Sequence, residues 1–320
     1  MYYFKTYTPR FLLVSLSLLI ALGLTMSFPC QGKPLSDPGR FFRSGNGKIS
    51  IRNEHTGREA HVNLFDADGR LNKRTLNEID RVFSLPDDRE GEHISLRLIF
   101  LLDYFSDLAA PGKTIHLISG YRNPAYNQKL KDAGGNVART STHMDGMAID
   151  FYLEGVSGKD LWEAIRKENC CGVGHYGGAS IHLDSGRPRF WEAATSKVGT
   201  RESEFNRKAY LSTEYDRYRQ GEGLRFFLTS LSDFPFGIHR TASLFRDVEG
   251  KDDAATLTIQ VRNGEECIMI RDRGEARSIY ATLPSGLEPG RYRVRLDFCM
   301  RPFEQMPAMI LSNEIEIVKE

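Results

Sequence analysis

The chain has 320 residues, 40% of them apolar and 27% charged, with 43 Lys and Arg against 42 Asp and Glu. That composition excludes a wholly disordered chain and a multi-pass membrane protein, and the length suits one large or two modest domains. The near-zero charge balance lacks the basic excess that binding to a phosphate backbone requires, so nucleic acid is excluded as a partner.

Lys5 and Arg10 precede an uncharged, mostly apolar stretch from Phe11 to Phe28. Basic residues followed by an apolar run describe an export signal, here over residues 1–32. A small-residue cleavage site is not obvious, and the stretch lies close to the shortest length that spans a bilayer. Retention as an N-terminal membrane anchor is therefore the alternative to cleavage. Either fate places the bulk of the chain outside the cytoplasm, in the periplasm or cell envelope. Residues 33–46, rich in Gly, Pro, Ser and Arg, read as a linker.

Ile49 to Phe65 alternates on both sides of a turn at Gly57 and reads as a hairpin. Leu71 to Phe83 has helical spacing. Ser95 to Leu108 has it more strongly, with Leu98, Leu101, Leu102 and Phe105 on one stripe. Thr114 to Ser119 is a short strand. Asn123-Pro124 opens a helix that Gly134-Gly135 closes. Met147 to Leu153 is a strand, and Ser157-x-x-Asp160 caps a helix through Glu168 that Gly172 and Gly174 stop. Ser180 to Asp184 is a further strand. Irregular mixing of helices and short strands indicates an α+β fold. Residues 197–225 are highly charged and read as a solvated connector. From Phe226 onward short strands alternate with turns, predicting a small all-β unit of sandwich type over residues 226–320.

Four cysteines lie beyond the leader. Adjacency disfavours a bridge between Cys170 and Cys171. Cys267 and Cys299 sit in strand-like runs and either pair across a sheet or stay as buried thiols.

The chemistry concentrates in Ser141-Thr-His143-Met-Asp-Gly146-Met-Ala148-Ile-Asp150 and Ser180-Ile-His182-Leu-Asp184. His143, Asp150 and His182 together form a candidate zinc site of two imidazoles and one carboxylate, leaving a fourth position for water. Seven residues of straight helix or strand carry His143 and Asp150 too far apart to share one ion. A reversal is needed between them, and Gly146 supplies it. Strand alternation then puts Asp150 on the face opposite Ile149 and Phe151, and puts Asp184 on the same face as His182. Asp184 is thus a partner for His182 or an acid/base group.

Residues from about Ile49 to Trp191 resemble the periplasmic zinc murein endopeptidases of the MepK (YcbK-like) type. That superfamily also holds D-Ala-D-Ala carboxypeptidases and the hedgehog signalling domain. The resemblance rests on Asn53-Glu-His-Thr-Gly57, Ser119-Gly-Tyr-Arg-Asn-Pro124, Ser141-Thr-His143, Gly146-Met-Ala148-Ile-Asp150, Gly172-Val-Gly174, Ile181-His-Leu-Asp-Ser-Gly186 and Arg189-Phe-Trp191. It implies a hedgehog/D-Ala-D-Ala-peptidase-like zinc domain over residues 47–196, with His143, Asp150 and His182 as metal ligands. It also implies that Arg122 faces the site, holding a substrate carboxylate or the scissile carbonyl oxygen; the alternative is a turn residue capping the next helix. Dipeptidase relatives carry a Glu three residues before the last zinc His, where this chain has Ala179. The remaining candidates for the base are Asp184, His175 and Tyr176. The implied activity is that of an exported zinc metallopeptidase cutting amide bonds in peptidoglycan peptides, with cross-links as the favoured target. The rivals are a non-enzymatic zinc-containing protein that binds peptides or cell wall on the same scaffold, and a carboxypeptidase that trims stem peptides.

Overall fold

Alternating strands between residues 48 and 192 assemble into one sheet that carries a hydrophobic core on one face and polar side chains on the other. The computed structural model describes Met1 and residues 37–86, 92–135, 137–193, 204–246, 255–260 and 265–319. The expected leader and anchor, apart from Met1, lie outside the described residues. Among the described residues no helix is long and apolar enough to cross a membrane.

The first sheet contains β1 (Lys48–Asn53), β2 (Glu59–Asn63), β3 (Ile115–Ser119), β4 (Ala148–Leu153), β5 (Gly172–His175), β6 (Ile181–Asp184) and β7 (Arg189–Glu192), in the spatial order β2-β1-β3-β4-β6-β5-β7. Four helices accompany it: α1 (Lys73–Val82), α2 (Leu96–Ala109), α3 (Pro124–Asp132) and α4 (Gly158–Glu168). Asn72, Asn123 and Ser157 cap α1, α3 and α4 by accepting from backbone N–H groups of the first turn. Ile149, Phe151, Ile181 and Leu183 point to one face, where Leu98, Leu102 and Ile165 of the helices meet them in a single buried cluster. Ala148 and Asp150 of β4, with His182 and Asp184 of β6, are left on the other face. The mixture of helices and sheets agrees with the mixed α and β content expected.

Among the described residues beyond 204 the regular structure is almost all strand. A three-stranded sheet has the order β14-β10-β8, from β8 (Tyr210–Thr213), β10 (Gly223–Thr229) and β14 (Ile279–Thr282). A larger sheet joins β9 (Arg217–Arg219), β11 (Phe236–Arg246), β12 (Ala255–Thr258), β15 (Gly290–Met300) and β17 (Ile315–Val318). To this, β13 (Cys267–Ile270) and β16 (Met309–Leu311) add as extra partners of β11 and β15. One short helix, α5 (Arg273–Ala276), follows β13. Leu211 and Phe226 of the smaller sheet share a buried cluster with Leu244, Val294 and Ile317 of the larger.

Two stretches differ from the sequence reading. Residues 210–225, expected within a solvated connector, supply β8, β9 and the start of β10, with Leu211 and Tyr218 fully buried. Their charges are paired: Arg97 binds Asp216 at 2.8 Å and Arg217 binds Glu316 at 2.6 Å. The tail of the expected linker is also structural. Phe41 is buried and stacks on Phe100 with centroids 4.0 Å apart. Cys267 and Cys299 are joined in a disulfide, and Cys170 and Cys171 are joined as well, against the expectation from their adjacency. The second pair lies at the bend between α4 and β5.

Asp103 of α2 ties down the segment before β1, accepting from the N–H of Gly45 at 2.8 Å and of Gly47 at 3.0 Å. Burial raises its carboxyl to about 6 despite those two bonds, and Asp107 adds to the rise. A folded-state value above the unfolded one means that the native state binds the extra proton between about pH 4 and 6. Stability from this group therefore falls as pH rises through that window. Asp103→Asn should remove that fall, so the stability difference between wild type and variant should shift by up to about 3 kcal/mol between pH 4 and 7. Urea unfolding across that range checks it.

Candidate metal centre

His143 lies on a 3₁₀ turn, Thr142–Asp145, opened by Ser141, whose hydroxyl accepts from the His143 N–H. The turn closes at Gly146 in the left-handed region, φ 64°, where a side chain is strained. That reversal lets β4 run back beneath the turn. On β4, Asp150 pairs directly with His182 of the antiparallel β6, so the two side chains rise side by side from one face. One nitrogen or oxygen from each of His143, Asp150 and His182 lies within 4.8 Å of the others, and all three residues are buried.

The outward nitrogens define the arrangement. His143 Nδ1 donates to the Gly120 carbonyl at 2.7 Å, which leaves the Nε2 lone pair facing Asp150 Oδ1 at 3.3 Å and His182 Nδ1 at 3.3 Å. His182 Nε2 lies 2.8 Å from Asp184 Oδ2 and donates to it, leaving Nδ1 against Asp150 Oδ1 at 2.9 Å. Two neutral imidazoles so tied point lone pairs at a carboxylate, a set that is complete only around a cation or a shared proton. The electrostatics favour the shared proton, held on His182. Burial pushes His143 down from its ordinary value. Burial alone would also lower His182, but its hydrogen bonds to Asp150 and Asp184 outweigh this and raise it. Burial would raise Asp150, yet the neighbouring His143 and His182 hold it well below the usual carboxylate range.

The other expected residues divide. Arg122 faces the group: Nη2 donates to Asp150 Oδ2 at 2.7 Å, and Nε donates to Ser119 Oγ at 2.9 Å. A register shift in β3 sets Ser119 opposite Asp150 and so anchors the guanidinium. Tyr176 donates its hydroxyl to Asp150 Oδ1 at 3.1 Å. Burial and the adjacent carboxylate push that phenol above its ordinary value, so it remains a donor.

Asp184 is fully buried on the far side of His182. Its oxygens accept from His182, from both terminal nitrogens of Arg189 at 3.0 and 2.6 Å, and from the Gly186 N–H at 2.9 Å. Burial would raise its carboxyl, but Arg189 and His182 hold it far below the usual range. A carboxylate so committed is a poor proton acceptor, and its contacts suit a partner of His182 better than a base. His175 lies on β5 and pairs with Ile181, so its side chain leaves the face that carries His182. Its ring lies 6.5 Å from that of Trp162 in α4.

Gly172 and Gly174, expected as helix stops, are strand residues opposite Asp184 and His182. A Cβ at 172 would strike the Asp184 carboxylate, and one at 174 would strike the Trp191 ring. Three contributors had no role assigned from the sequence: the Gly120 carbonyl, the Arg189 fork, and Trp191, whose ring lies 5.0 Å from that of His182. Arg189 and Trp191 stood among the motif residues without one.

The tie from Asp184 to His182 has a measurable consequence. With zinc as the probe, Asp184→Asn should weaken binding about 10- to 100-fold, because the amide no longer enforces the Nε2–H form of the ring. Competition against a chromophoric chelator measures this, and unchanged affinity would contradict the tie.

The comparisons with known proteins converge on the same segment. Residues 44–191 match a family model described as peptidoglycan L,D-endopeptidase MepK. The chain is similar to the peptidoglycan L,D-endopeptidase MepK of Escherichia coli K12, 29% identical over 144 residues, which covers 45% of this chain and 79% of that protein. The protein of that name in Shigella flexneri matches equally. A probable peptidoglycan L,D-endopeptidase MepK of Haemophilus influenzae is 34% identical over 91 residues, 27% of this chain and 47% of its own length. The matched segment holds nearly all of the sheet that carries the buried His143, Asp150 and His182, so the similarity to these MepK peptidases spans the candidate metal centre.

Proposed function

We propose that this chain is an exported zinc metallopeptidase that hydrolyses amide bonds in peptidoglycan peptides, with cross-links between stems as its main target. The carrying observation is the pair of imidazoles whose outer nitrogens are spent on Gly120 and Asp184, so that both lone pairs meet the Asp150 carboxylate. The bond class follows the L,D-endopeptidase activity named for the relatives. The leader-like residues 1–32 fit such a substrate, which lies outside the membrane. We assign residues 47–196 to a peptidase domain of the hedgehog/D-Ala-D-Ala-peptidase type and residues 226–320, extended back to about 204, to a sandwich-like accessory unit.

His143, Asp150 and His182 would hold the zinc, their donor set matching a catalytic zinc site with one open position. Bound zinc supplies a Lewis acid and lowers the pKa of a coordinated water. Asp184 and Arg189 fix the ring orientation of His182. A cleft of about 480 Å³ opens beside Asp150, lined by Asn53, Ser84, Tyr121, Arg122 and Tyr126, and is sized for a short peptide. Arg122 would receive a substrate carboxylate or carbonyl at its inner end. Tyr176 is a neutral donor beside the ligand carboxylate, placed to stabilise negative charge as it develops on the scissile carbonyl oxygen.

Purified cross-linked muropeptides test the activity directly. The protein should convert them to uncross-linked products, and a chelator should stop the conversion until zinc is restored. Binding without turnover, or release of single terminal residues only, would favour the two rival readings in turn. Tyr176→Phe should lower kcat by about 100-fold with little change in zinc content. A wild-type kcat in that variant would remove the tyrosine from the reaction.

A further inference from the structure

The family match ends at residue 191, yet the turn that carries His143 is gripped from outside the matched segment. Asp145, two residues after His143 on the same 3₁₀ turn, is only 3% exposed. Every polar atom of its side chain and its carbonyl is engaged by the β-rich region. Arg273 of α5 donates from Nη1 to Asp145 Oδ1 at 2.7 Å. The Ser230 N–H donates to Oδ2 at 2.9 Å. Arg277, itself buried, donates to the Asp145 carbonyl and reaches the His93 carbonyl as well.

Two further features mark the contact as built. Ser230 sits in the left-handed region at φ 57°, a conformation disfavoured for a non-glycine residue and kept where surrounding contacts demand it. Arg273 is held by the Leu231 carbonyl next along the chain, and its guanidinium lies over the Phe234 ring. The fork is therefore oriented before it meets Asp145.

We propose that the β-rich region is part of the metal centre's scaffold, with Arg273, Arg277 and Ser230 acting as positioning residues that hold Asp145 and thereby set the place of His143. This rests on the metal reading of the previous section. The turn is short, and its inner end is fixed by Ser141 and by the Arg122 N–H, which donates to the His143 carbonyl at 3.2 Å. Its outer end has Asp145 as its charged anchor. Releasing that end lets the ring swing on its Gly120 bond, and a ligand displaced by a fraction of an ångström binds metal less well. The accessory region would then be required for metal retention in this chain, whatever else it binds.

The test uses the full-length protein and zinc itself. Affinity is read by competition with a chromophoric chelator, and folding of each variant by its urea midpoint. Arg273→Ala should weaken zinc binding about tenfold or more, the range seen when a ligand's support is removed. Arg273→Lys, which keeps the charge and loses the fork, should recover part of it. Arg217→Ala is the control: it cuts a different tie of the β-rich region, from Arg217 to the Gly39 and Phe41 carbonyls and to Glu316 of the same region, without touching the turn. It should lower the midpoint and leave zinc affinity at the wild-type level. Should Arg273→Ala not fold, the isosteric Asp145→Asn takes its place with the same expected loss. Zinc affinity within about twofold of wild type in whichever variant folds, or an equal loss in the Arg217→Ala control, overturns the positioning role. A wild-type protein that takes up no zinc instead overturns the metal assignment, and this inference with it.

Discussion

The Asp150 carboxylate lies between two imidazole nitrogens that both turn lone pairs toward it, and this crowding of acceptors governs the architecture around it. Lone pairs at 2.9 to 3.3 Å repel unless a cation or proton is shared among them. The group is also buried, so water does not relieve the repulsion. What prevents the rings from rotating away is the pair of bonds on their outer edges, one to a backbone carbonyl and one to a carboxylate. Asp184 in turn is a buried charge and needs its own partner, which the two-pronged Arg189 supplies. The chain of dependence therefore runs from the cluster outward through His182, Asp184 and Arg189 to the edge strand β7.

That dependence explains features with no chemistry of their own. Three consecutive polar side chains on a sheet face need neighbouring strands that leave room for them. Gly172 and Gly174 do so on β5, since any Cβ there would occupy the space of Asp184 or Trp191. The opposite face of the same strands carries Ile149, Phe151, Ile181, Leu183 and Val173 into the helices. A one-residue slip of β6 against β4 would exchange the faces, burying imidazole in the core and exposing isoleucine. The hydrophobic core thus fixes the register that holds Asp150 opposite His182.

Much of this was legible before the structure because it rests on period-two alternation and on one glycine. Ala148 to Leu153 and Ile181 to Asp184 show their faces in the order of their residues, and Gly146 marks the reversal that His143 and Asp150 require. Alternation ends at the face, however. It placed Asp184 beside His182 without showing that Arg189 would claim the carboxylate, because β7 is four residues long and its Arg-Phe-Trp-Glu has no apolar rhythm. Glycine is ambiguous in the same way. At 146 it permits a left-handed turn, and at 172 and 174 it permits close approach, and a single sequence does not separate these uses. Read as helix stops, Gly172 and Gly174 gave no sign of β5 or of the face that His175 takes. Residues 210–225 were hidden by charges whose partners lie far along the chain, Arg97 for Asp216 and Glu316 for Arg217.

The arginines also bear on how the two regions of the chain relate. Arg97 to Asp216 and Arg273 to Asp145 each set a guanidinium nitrogen on a nearly inaccessible carboxylate at the junction, while Arg217, paired with Glu316 inside the β-rich region, reaches the Gly39 and Phe41 carbonyls. An exposed pair at such a junction is worth little, but a buried one is costly to break because a charge is left behind without water or partner. A loosely tethered wall-binding module would gain nothing from such contacts, which resist separation of the two regions. Their placement is selective as well. Asp145 and Asp216 are held at the ends of segments that reach the metal turn and the Phe41 segment respectively, the latter through the Phe42 N–H bonded to Asp216. The strands after residue 204 therefore complete the environment of the first sheet, and the junction belongs to the fold of the catalytic region as much as to the region that follows it.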